Sequence, residues 1–499
     1  MTTFTASTDG SAAISIDPNR LLSPIADEIY SGFTEHMGRC IYGGLYDRGS
    51  PLSDSNGFRK DVIECFKELN CPVVRYPGGN FVATYHWYEG IGPVEKRPKR
   101  PELAWNGVET NAFGTDEFMK WCKAVGTQPY LCLNMGTGTL DEALGWLEYC
   151  NGERDTYWAN LRRANGHKEP YRVQYWALGN ECYGEWQVEQ STKEDYAKKA
   201  YQWAKALKLM DPSICLILCG ELGYVEWDRY VLGECIKWID MHSIHMYTAD
   251  KEHMANATGP LAGERAIEIC ASLIDMARIK SGVEKRPKIC FDEWNIWDPV
   301  RAPGDKGAEE LYTVSDMLAM GVWCNVFIRQ SKYLGMTNIA QSVNVISPLM
   351  TTKTGLVKQT TWWVYLLFAK YMRGTTLGVH LKCGKYDGRT NPKFIQSTMD
   401  TPWLDVSAAV NDGYINLAVV NLHPEEEITV DLHGIPDGTE IQEFLVTGKS
   451  LDDVNTEEKT TVKIVENTGI WGSEYSNNWI FPKHSFVLLR WSIEVVDSE

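Results

Sequence analysis

The sequence predicts an α/β fold, a (β/α)8 barrel of the TIM type followed by a C-terminal antiparallel β-sandwich of jelly-roll character. Three observations carry this. From about residue 25 to residue 375, short apolar runs alternate with longer amphipathic segments, giving seven to eight strand–helix repeats. No Gly-x-Gly-x-x-Gly follows the first strand and no phosphate loop occurs, so the alternative, an open doubly wound sheet, lacks its fingerprint. After the helix expected at 361–372 the rhythm changes to short, partly alternating runs separated by Asp-Gly, Pro-Asp-Gly and Gly-Lys turns.

Residues 29–33 open the series as a strand, and the helix over 58–69 places Phe58, Val62, Cys65, Phe66 and Leu69 on one face. A strand at 73–76 runs into Pro77-Gly78-Gly79-Asn80, strong loop chemistry. Helix 116–125, strand 129–134 and helix 140–150 follow, then a strand at 175–178 that ends at Asn180-Glu181 and a long helix over 193–209. Further strands are expected at 213–219, 241–245 and 288–291, with helices at 263–277 and 311–327 and a last strand within 338–346. Beyond the barrel the expected strands are 415–421, 427–432, 441–445, 461–465 and 486–493. Residues 4–16 carry a strand-like pattern of their own. The division is therefore 1–19 as an N-terminal strand segment joining the sandwich, 20–375 as the barrel and 376–499 as the sandwich.

A chain of 499 residues exceeds what one core fills, so more than one domain is expected. A net charge of −17 argues against nucleic acid or an anionic membrane as partner, and no stretch is long and apolar enough to span a bilayer. Nineteen Trp and twenty-four Tyr suit a sugar site, because sugars stack their C–H faces on such rings, but aromatics also fill large cores. Fourteen scattered Cys read as buried free thiols in a reducing compartment, and none has metal-ligand spacing. The cytoplasm is the expected location; a secreted chain that had lost its signal peptide would look the same.

Glu181, in Trp-Ala-Leu-Gly-Asn-Glu, and Glu293, in Ile-Cys-Phe-Asp-Glu-Trp-Asn, each end an apolar run that reads as a buried parallel strand. Strand ends are where such folds place chemistry, so the pair suggests a paired-carboxylate hydrolase, against the plainer reading that each Glu caps the following helix. Trp176, Tyr183, Trp186, Trp294 and Trp297 flank the two. Glu181 is the candidate acid/base, its carboxyl raised by burial, and Glu293 the candidate nucleophile. By strand alternation only one of Asp292 and Glu293 faces the barrel axis; the residues leave open which, with Trp294-Asn295 favouring Glu293. His245 and Tyr247 share a side of their strand, the Tyr placed to donate to the nucleophile. Asn180 can offer its amide to a sugar hydroxyl or simply close a turn. Glu35, Arg75, Asn80 and Gln341 lie near other strand ends and are equally compatible with scaffold roles.

The chain resembles the α-L-arabinofuranosidases of glycoside hydrolase family 51 over nearly its whole length. The resemblance rests on Gly32-Phe33-Thr34-Glu35-His36-Met37-Gly38-Arg39-Cys40-Ile41-Tyr42, Val74-Arg75-Tyr76-Pro77-Gly78-Gly79-Asn80-Phe81, Ala177-Leu178-Gly179-Asn180-Glu181, Asp292-Glu293-Trp294-Asn295 and Ala340-Gln341-Ser342-Val343-Asn344-Val345-Ile346. It implies a retaining mechanism without metal or organic cofactor, and an exo-acting enzyme that removes terminal arabinofuranosyl residues from arabinoxylan, arabinan or their oligosaccharides. It further implies Glu181 as acid/base and Glu293 as nucleophile. Glu35, Arg75, Asn80, Asn180, His245, Tyr247 and Gln341 bind the sugar or brace the nucleophile, and Trp105 forms an aromatic floor. It implies a homo-oligomer, often a hexamer, acting on imported oligosaccharides. Gly43-Gly44-Leu45-Tyr46-Asp47-Arg48-Gly49-Ser50 departs from the shorter bacterial pattern and leaves the preferred polymer open. An endo-β-1,4-glucanase or β-xylosidase is the alternative within the same chemistry, and a non-catalytic carbohydrate-binding protein the alternative outside it.

Overall fold

The computed structural model describes residues 2–472 and 478–493. Eight parallel strands close into a barrel in chain order: Ser31–Phe33 (β1), Val73–Tyr76 (β2), Gln128–Cys132 (β3), Tyr175–Leu178 (β4), Cys215–Leu218 (β5), Met241–Thr248 (β6), Lys288–Ile296 (β7) and Leu334–Ile339 (β8). Their near-continuous apolar runs are what a strand buried on both faces requires. Val73, Tyr130, Cys132, Ala177, Ile217, Cys290 and Met336 fill the barrel interior. Helices such as Lys193–Met210 and Val314–Arg329 cover the outside, started by Thr192 and Thr313, whose side chains accept from the N–H three residues on.

Two strands at the barrel seam differ from expectation. Residues 27–30 form a 3-10 turn and only Ser31–Phe33 enters the ladder; Ile29 and Tyr30 are drawn outward into the main core instead. The last strand lies earlier, at Leu334–Ile339, because Asn344 (φ 63°) and Ile346 (φ 37°) adopt left-handed backbone that no strand tolerates. Gln341 therefore stands beyond the strand, in the turn that follows it.

The remaining strands build one large sheet, antiparallel except for two parallel pairings, Thr3–Ala6 on Thr375–Cys383 and Ile428–His433 on Ala13–Pro24. Ala13–Pro24 runs through the boundary expected at residue 19 and pairs antiparallel with Thr375–Cys383, which begins at the boundary expected at 375. Residues 494–499 of the expected sandwich lie outside the described residues. Alternate residues, among them Ile14, Val379, Val406, Leu417, Leu432, Ile441 and Leu489, enclose a separate core. Ala409, Ala418, Val420, Phe486 and Leu488 point the other way and join the barrel's core against its helices. Arg329, buried between the two layers, pairs with Glu264 of the barrel at 2.7 Å and Asp405 of the sheet at 2.9 Å.

Within the sheet, residues 461 and 462 are not a strand. The Asn455 side chain takes both of their N–H groups, and pairing starts only at Val465–Ile470. Leu404–Asn411, not foreseen as a strand, is a central one.

Candidate active site

The carboxylates of Glu181 and Glu293 meet at the C-terminal mouth of the barrel, where an oxygen of each and a ring nitrogen of His245 all lie within 4.8 Å of one another. These three form the one set of converging acidic and imidazole donors among the described residues. All are already engaged by neighbouring side chains and by one another. So close an approach of the two carboxylates suits a retaining pair, whose carboxyl groups stand roughly 5 Å apart, better than an inverting one.

Glu181 follows β4 through Gly179 (φ 83°) and itself sits at φ 41°, a left-handed conformation costing about 1–3 kcal/mol for a residue other than glycine. That turn lifts its carboxylate off the strand and over the mouth. There His245 Nδ1 lies 2.9 Å from Oε1, Trp186 Nε1–H donates to Oε2 at 3.0 Å, and the Tyr183 hydroxyl donates at 3.3 Å. Glu293 accepts from Arg75 Nη1 at 2.7 Å on one oxygen and from the Tyr247 hydroxyl at 2.9 Å on the other.

The expectation that only one of Asp292 and Glu293 faces inward is wrong. Between the pairs Ser243–Cys290 and His245–Glu293, β7 holds one residue more than β6, a β-bulge. The extra residue turns both acids into the barrel while Phe291 and Trp294 stay in the outer core. Asp292 lies beneath Glu293, bonded by the Ser243 hydroxyl and by the Tyr130 hydroxyl at 2.7 Å, with His245 Nε2 at 3.3 Å. Burial works to raise Asp292, yet Arg75, His245 and Ser243 together hold it well below the usual carboxylate range.

Arg75 organises this floor. Fully buried, it bonds Glu293, the Asp292 carbonyl at 3.2 Å and Asn180 Oδ1 at 2.6 Å, and its guanidinium lies 4.5 Å from the centre of the Phe33 ring. That bond turns the buried Asn180 Nδ2 away from Arg75, and the nitrogen has no partner among the described residues. An amide so placed suits a ligand hydroxyl. Glu35 forms the next wall. It accepts from Phe81 N–H and Trp105 Nε1–H, both at 3.0 Å, and from Gln341 Nε2 at 2.8 Å, while its own N–H donates to Gln341 Oε1. A Cβ on Gly79 would come within 2.5 Å of Glu35 Oε2, which is why the Pro-Gly-Gly turn is bare there. Burial pushes Glu35 up to about 8, the Glu293 charge adding to it and the Phe81 and Trp105 donors opposing.

Nine of the ten expected residues are thus joined in one cluster. Asn80 opens the 3-10 turn Asn80–Thr84 beside it and makes no side-chain hydrogen bond among the described residues. Of the flanking aromatics, Tyr183, Trp186 and Trp297 reach the site, Trp297 edge-on to Tyr247 at 5.3 Å. Trp176 and Trp294 do not; they pack outward against Trp146 and Phe327. Asp292 in the inward role, Ser243 and Tyr130 were missed. Ser243 was within reach, lying two residues before His245 on the same strand face; Tyr130 carries no such signal.

The proton affinities correct a second expectation. Burial raises the Glu293 carboxyl and the Glu181 charge adds to this, against His245 and Arg75. Burial acts on Glu181 as well, but the bond and charge of His245, the Trp186 N–H and the Arg75 charge bring it below its ordinary value, not above. His245 itself is driven up by Glu293, Asp292 and Glu181 against its burial. The resting site therefore stores its proton on the imidazole between the acids. Tyr247 stays a protonated donor, because burial and then the Glu293 and Glu181 charges raise its phenol far above 10. Tyr247→Phe is accordingly expected to lower kcat/KM by about 1–3 kcal/mol of transition-state stabilisation, checked by steady-state kinetics, with fold and stability retained.

Residues 65–259 match the family described as "Alpha-L-arabinofuranosidase 1 domain" and residues 292–485 the "Alpha-L-arabinofuranosidase C-terminal domain". A protein named "Probable alpha-L-arabinofuranosidase C" from Aspergillus terreus is 62% identical over 98% of this chain and 100% of its own length. The chain belongs to the α-L-arabinofuranosidases of glycoside hydrolase family 51. Within that family, an "Intracellular exo-alpha-(1->5)-L-arabinofuranosidase" from Halalkalibacterium halodurans is 36% identical over 84% of each chain. The solved arabinose complex of the Thermotoga maritima α-L-arabinofuranosidase superposes with a TM-score of 0.86 at 38% identity, covering 97% of this chain and 100% of that one. The chain is a glycoside hydrolase with the barrel and sheet domains of its family, and the glucanase, xylosidase and non-catalytic alternatives are not favoured.

Proposed function

We propose that the chain is an exo-acting, retaining α-L-arabinofuranosidase that removes terminal non-reducing arabinofuranosyl residues from arabinoxylan, arabinan or their oligosaccharides. The observation that carries this is the pair Glu181 and Glu293, within 4.8 Å of each other at the mouth of a barrel of this family. His245 passes its proton along the 2.9 Å contact to Glu181, which becomes the acid. Its departure removes the main influence holding Glu181 low, while Glu293 keeps the permanent charge of Arg75 and the Tyr247 hydroxyl. The difference between the carboxyls then inverts in the direction the reaction needs.

Glu293 attacks the anomeric carbon as the glycosidic bond breaks, and Glu181 gives its proton to the departing oxygen. The product of this step is a glycosyl ester on Glu293. Glu181, now a carboxylate, takes a proton from water, whose oxygen attacks the anomeric carbon and releases Glu293 with net retention. Asn180 Nδ2, Glu35 and Gln341 hold ring hydroxyls, and Trp105 walls the furanose.

A panel of aryl glycosides tests the specificity. The α-L-arabinofuranoside is expected to turn over at least about 100-fold faster than the β-D-xylopyranoside or β-D-glucopyranoside, a preference of about 3 kcal/mol or more in the transition state. Faster xylopyranoside turnover, or activity only on internal β-1,4-glucan bonds, overturns the specificity. The same reading includes self-association, with a hexamer six times the 56.5 kDa chain mass by light scattering. It also includes a cytoplasmic location, supported by fourteen cysteines that are all free and buried.

A further inference from the structure

Gln187 is the inward side chain of the loop that carries the acid/base. That loop is closed by Gly184 N–H to the Glu181 carbonyl at 2.7 Å, Gln187 N–H to the Gly184 carbonyl at 3.0 Å and Ser191 N–H to the Cys182 carbonyl at 2.8 Å. Gln187 is 6% exposed, yet neither its Nε2 nor its Oε1 has a partner among the described residues. A second amide beside it is in the same condition. Arg75 takes Asn180 Oδ1 at 2.6 Å, which leaves the buried Nδ2 without a partner among the described residues. Both side chains line one cavity of about 10 Å³, walled by Val82, Ala83, Gly136 and Val188. Its size is that of a single water. A Cβ on Gly136 would come within 2.5 Å of the Ala83 carbonyl oxygen and 3.0 Å of the Val188 one, so the bare glycine lets two backbone acceptors converge beside the cavity.

Natural chains keep buried amides where something satisfies them, and here two of them converge on a space too small for any sugar. We propose that this cavity binds one ordered water shared by Gln187 and Asn180, and that Gln187 is a positioning residue acting through that water on Asn180. The water accepts from Asn180 Nδ2–H, bonds the Gln187 amide and donates to a backbone carbonyl, the usual complement of a buried water. Asn180 is then fixed at both ends, its Oδ1 by Arg75 and one Nδ2 hydrogen by the water. The other Nδ2 hydrogen is left aimed at the sugar. This deepens the function proposed above and rests on it, since a ring hydroxyl is what Asn180 is aimed at.

Two measurements test it. A high-resolution crystal structure of wild type is expected to show a water within about 3.2 Å of both amides. Steady-state kinetics on an aryl α-L-arabinofuranoside then compare wild type with Gln187→Met, Asn180→Ala and the double variant. Gln187→Met keeps the length and bulk of the side chain and loses only the amide.

Gln187→Met is expected to lower kcat/KM about five- to tenfold, the worth of one hydrogen bond. In the double variant the loss is expected to stay within about twofold of that of Asn180→Ala alone, because the water then has no amide to position. A role of Gln187 in holding the loop, independent of Asn180, would instead multiply the two losses. A cavity without a water, a Gln187 amide bonded to other protein groups, an unchanged kcat/KM in Gln187→Met or losses that multiply in the double variant overturn the proposal. Should Gln187→Met fail to fold, the wild-type crystal structure decides alone: a water bridging the two amides upholds the proposal and its absence removes it. The parent reading fails separately, if wild type turns over no α-L-arabinofuranoside. In that case the crystallographic water still decides the site in the cavity.

Discussion

Glu293→Ala is expected to abolish turnover of activated and unactivated arabinofuranosides alike, by about 10^4-fold or more, because no glycosyl ester can form without its carboxylate. Glu181→Ala is expected to behave differently. A nitrophenolate leaves without help, so that substrate still forms the glycosyl-enzyme, whereas a sugar alkoxide needs a proton as the bond breaks. The loss should be far greater for the oligosaccharide. Azide should then accelerate the Glu181 variant by attacking the accumulated ester, giving a glycosyl azide of retained configuration that NMR identifies. Equal losses in both variants on every substrate, with no azide effect, would falsify the assignment of roles. The same variants bear on the proton stored at His245. Without Glu181 the imidazole has no acid to hand its proton to at 2.9 Å, and the alkaline limb of the profile should vanish on the activated substrate.

Arg75→Met is expected to cost about 3–5 kcal/mol of stability, since it leaves the buried Glu293 and Asp292 without their permanent cation. It should also remove nearly all activity, as Asn180 and Glu293 lose the group that aims both. The pH dependence of the stability loss identifies the cause. Asp292 has a depressed carboxyl in the folded chain, so it contributes stability that is full above its unfolded value of about 4 and is lost as pH falls towards the folded value. Without Arg75 the largest of the influences that depress it is lost, so its carboxyl rises and less of that stability remains, His245 and Ser243 still acting on it. The gap between wild type and variant should therefore be widest near neutrality and narrow as the pH is lowered, in denaturant titrations at a series of pH values. A gap independent of pH would mean that lost packing on Phe33, not charge, carries the effect.

The legible parts of this molecule were those written in local pattern. Val73–Tyr76 and Tyr175–Leu178 stand where their apolar runs ended, because a strand buried on both faces leaves a contiguous signature. The loop residues behind those strands, Gly78-Gly79 and Asn180-Glu181, followed from the same ends. What could not be read is non-local. The bulge that turns both Asp292 and Glu293 inward exists in the pairing of β7 with its neighbours β6 and β8. Tyr130 reaches Asp292 across 162 positions of sequence. Trp176 and Trp294 flank the catalytic runs in sequence, but strand alternation sends them to the opposite side from the site. The proton affinity of Glu181 was misjudged for a similar reason: burial is foreseeable from an apolar strand, the imidazole that outweighs it is not.

The path of Ala13–Pro24 through the large sheet bears on how the chain is made. This strand leaves the ribosome before every strand of the barrel, yet its partners Thr375–Cys383 and Ile428–His433 are some 350 to 420 residues behind it. At a synthesis rate of about 5–20 residues per second, it waits tens of seconds with both edges unpaired. All eight barrel strands are complete by residue 339, well before that wait ends, so the barrel can close while the sheet is still missing most of its strands. A chain arrested between residues 339 and 375 would carry a closed barrel preceded by a loose strand whose Ile14 and Ile16 lack their cover, a template for pairing with other chains. Shortening the protein from its C-terminus is therefore an aggregation hazard that originates at the opposite end of the sequence.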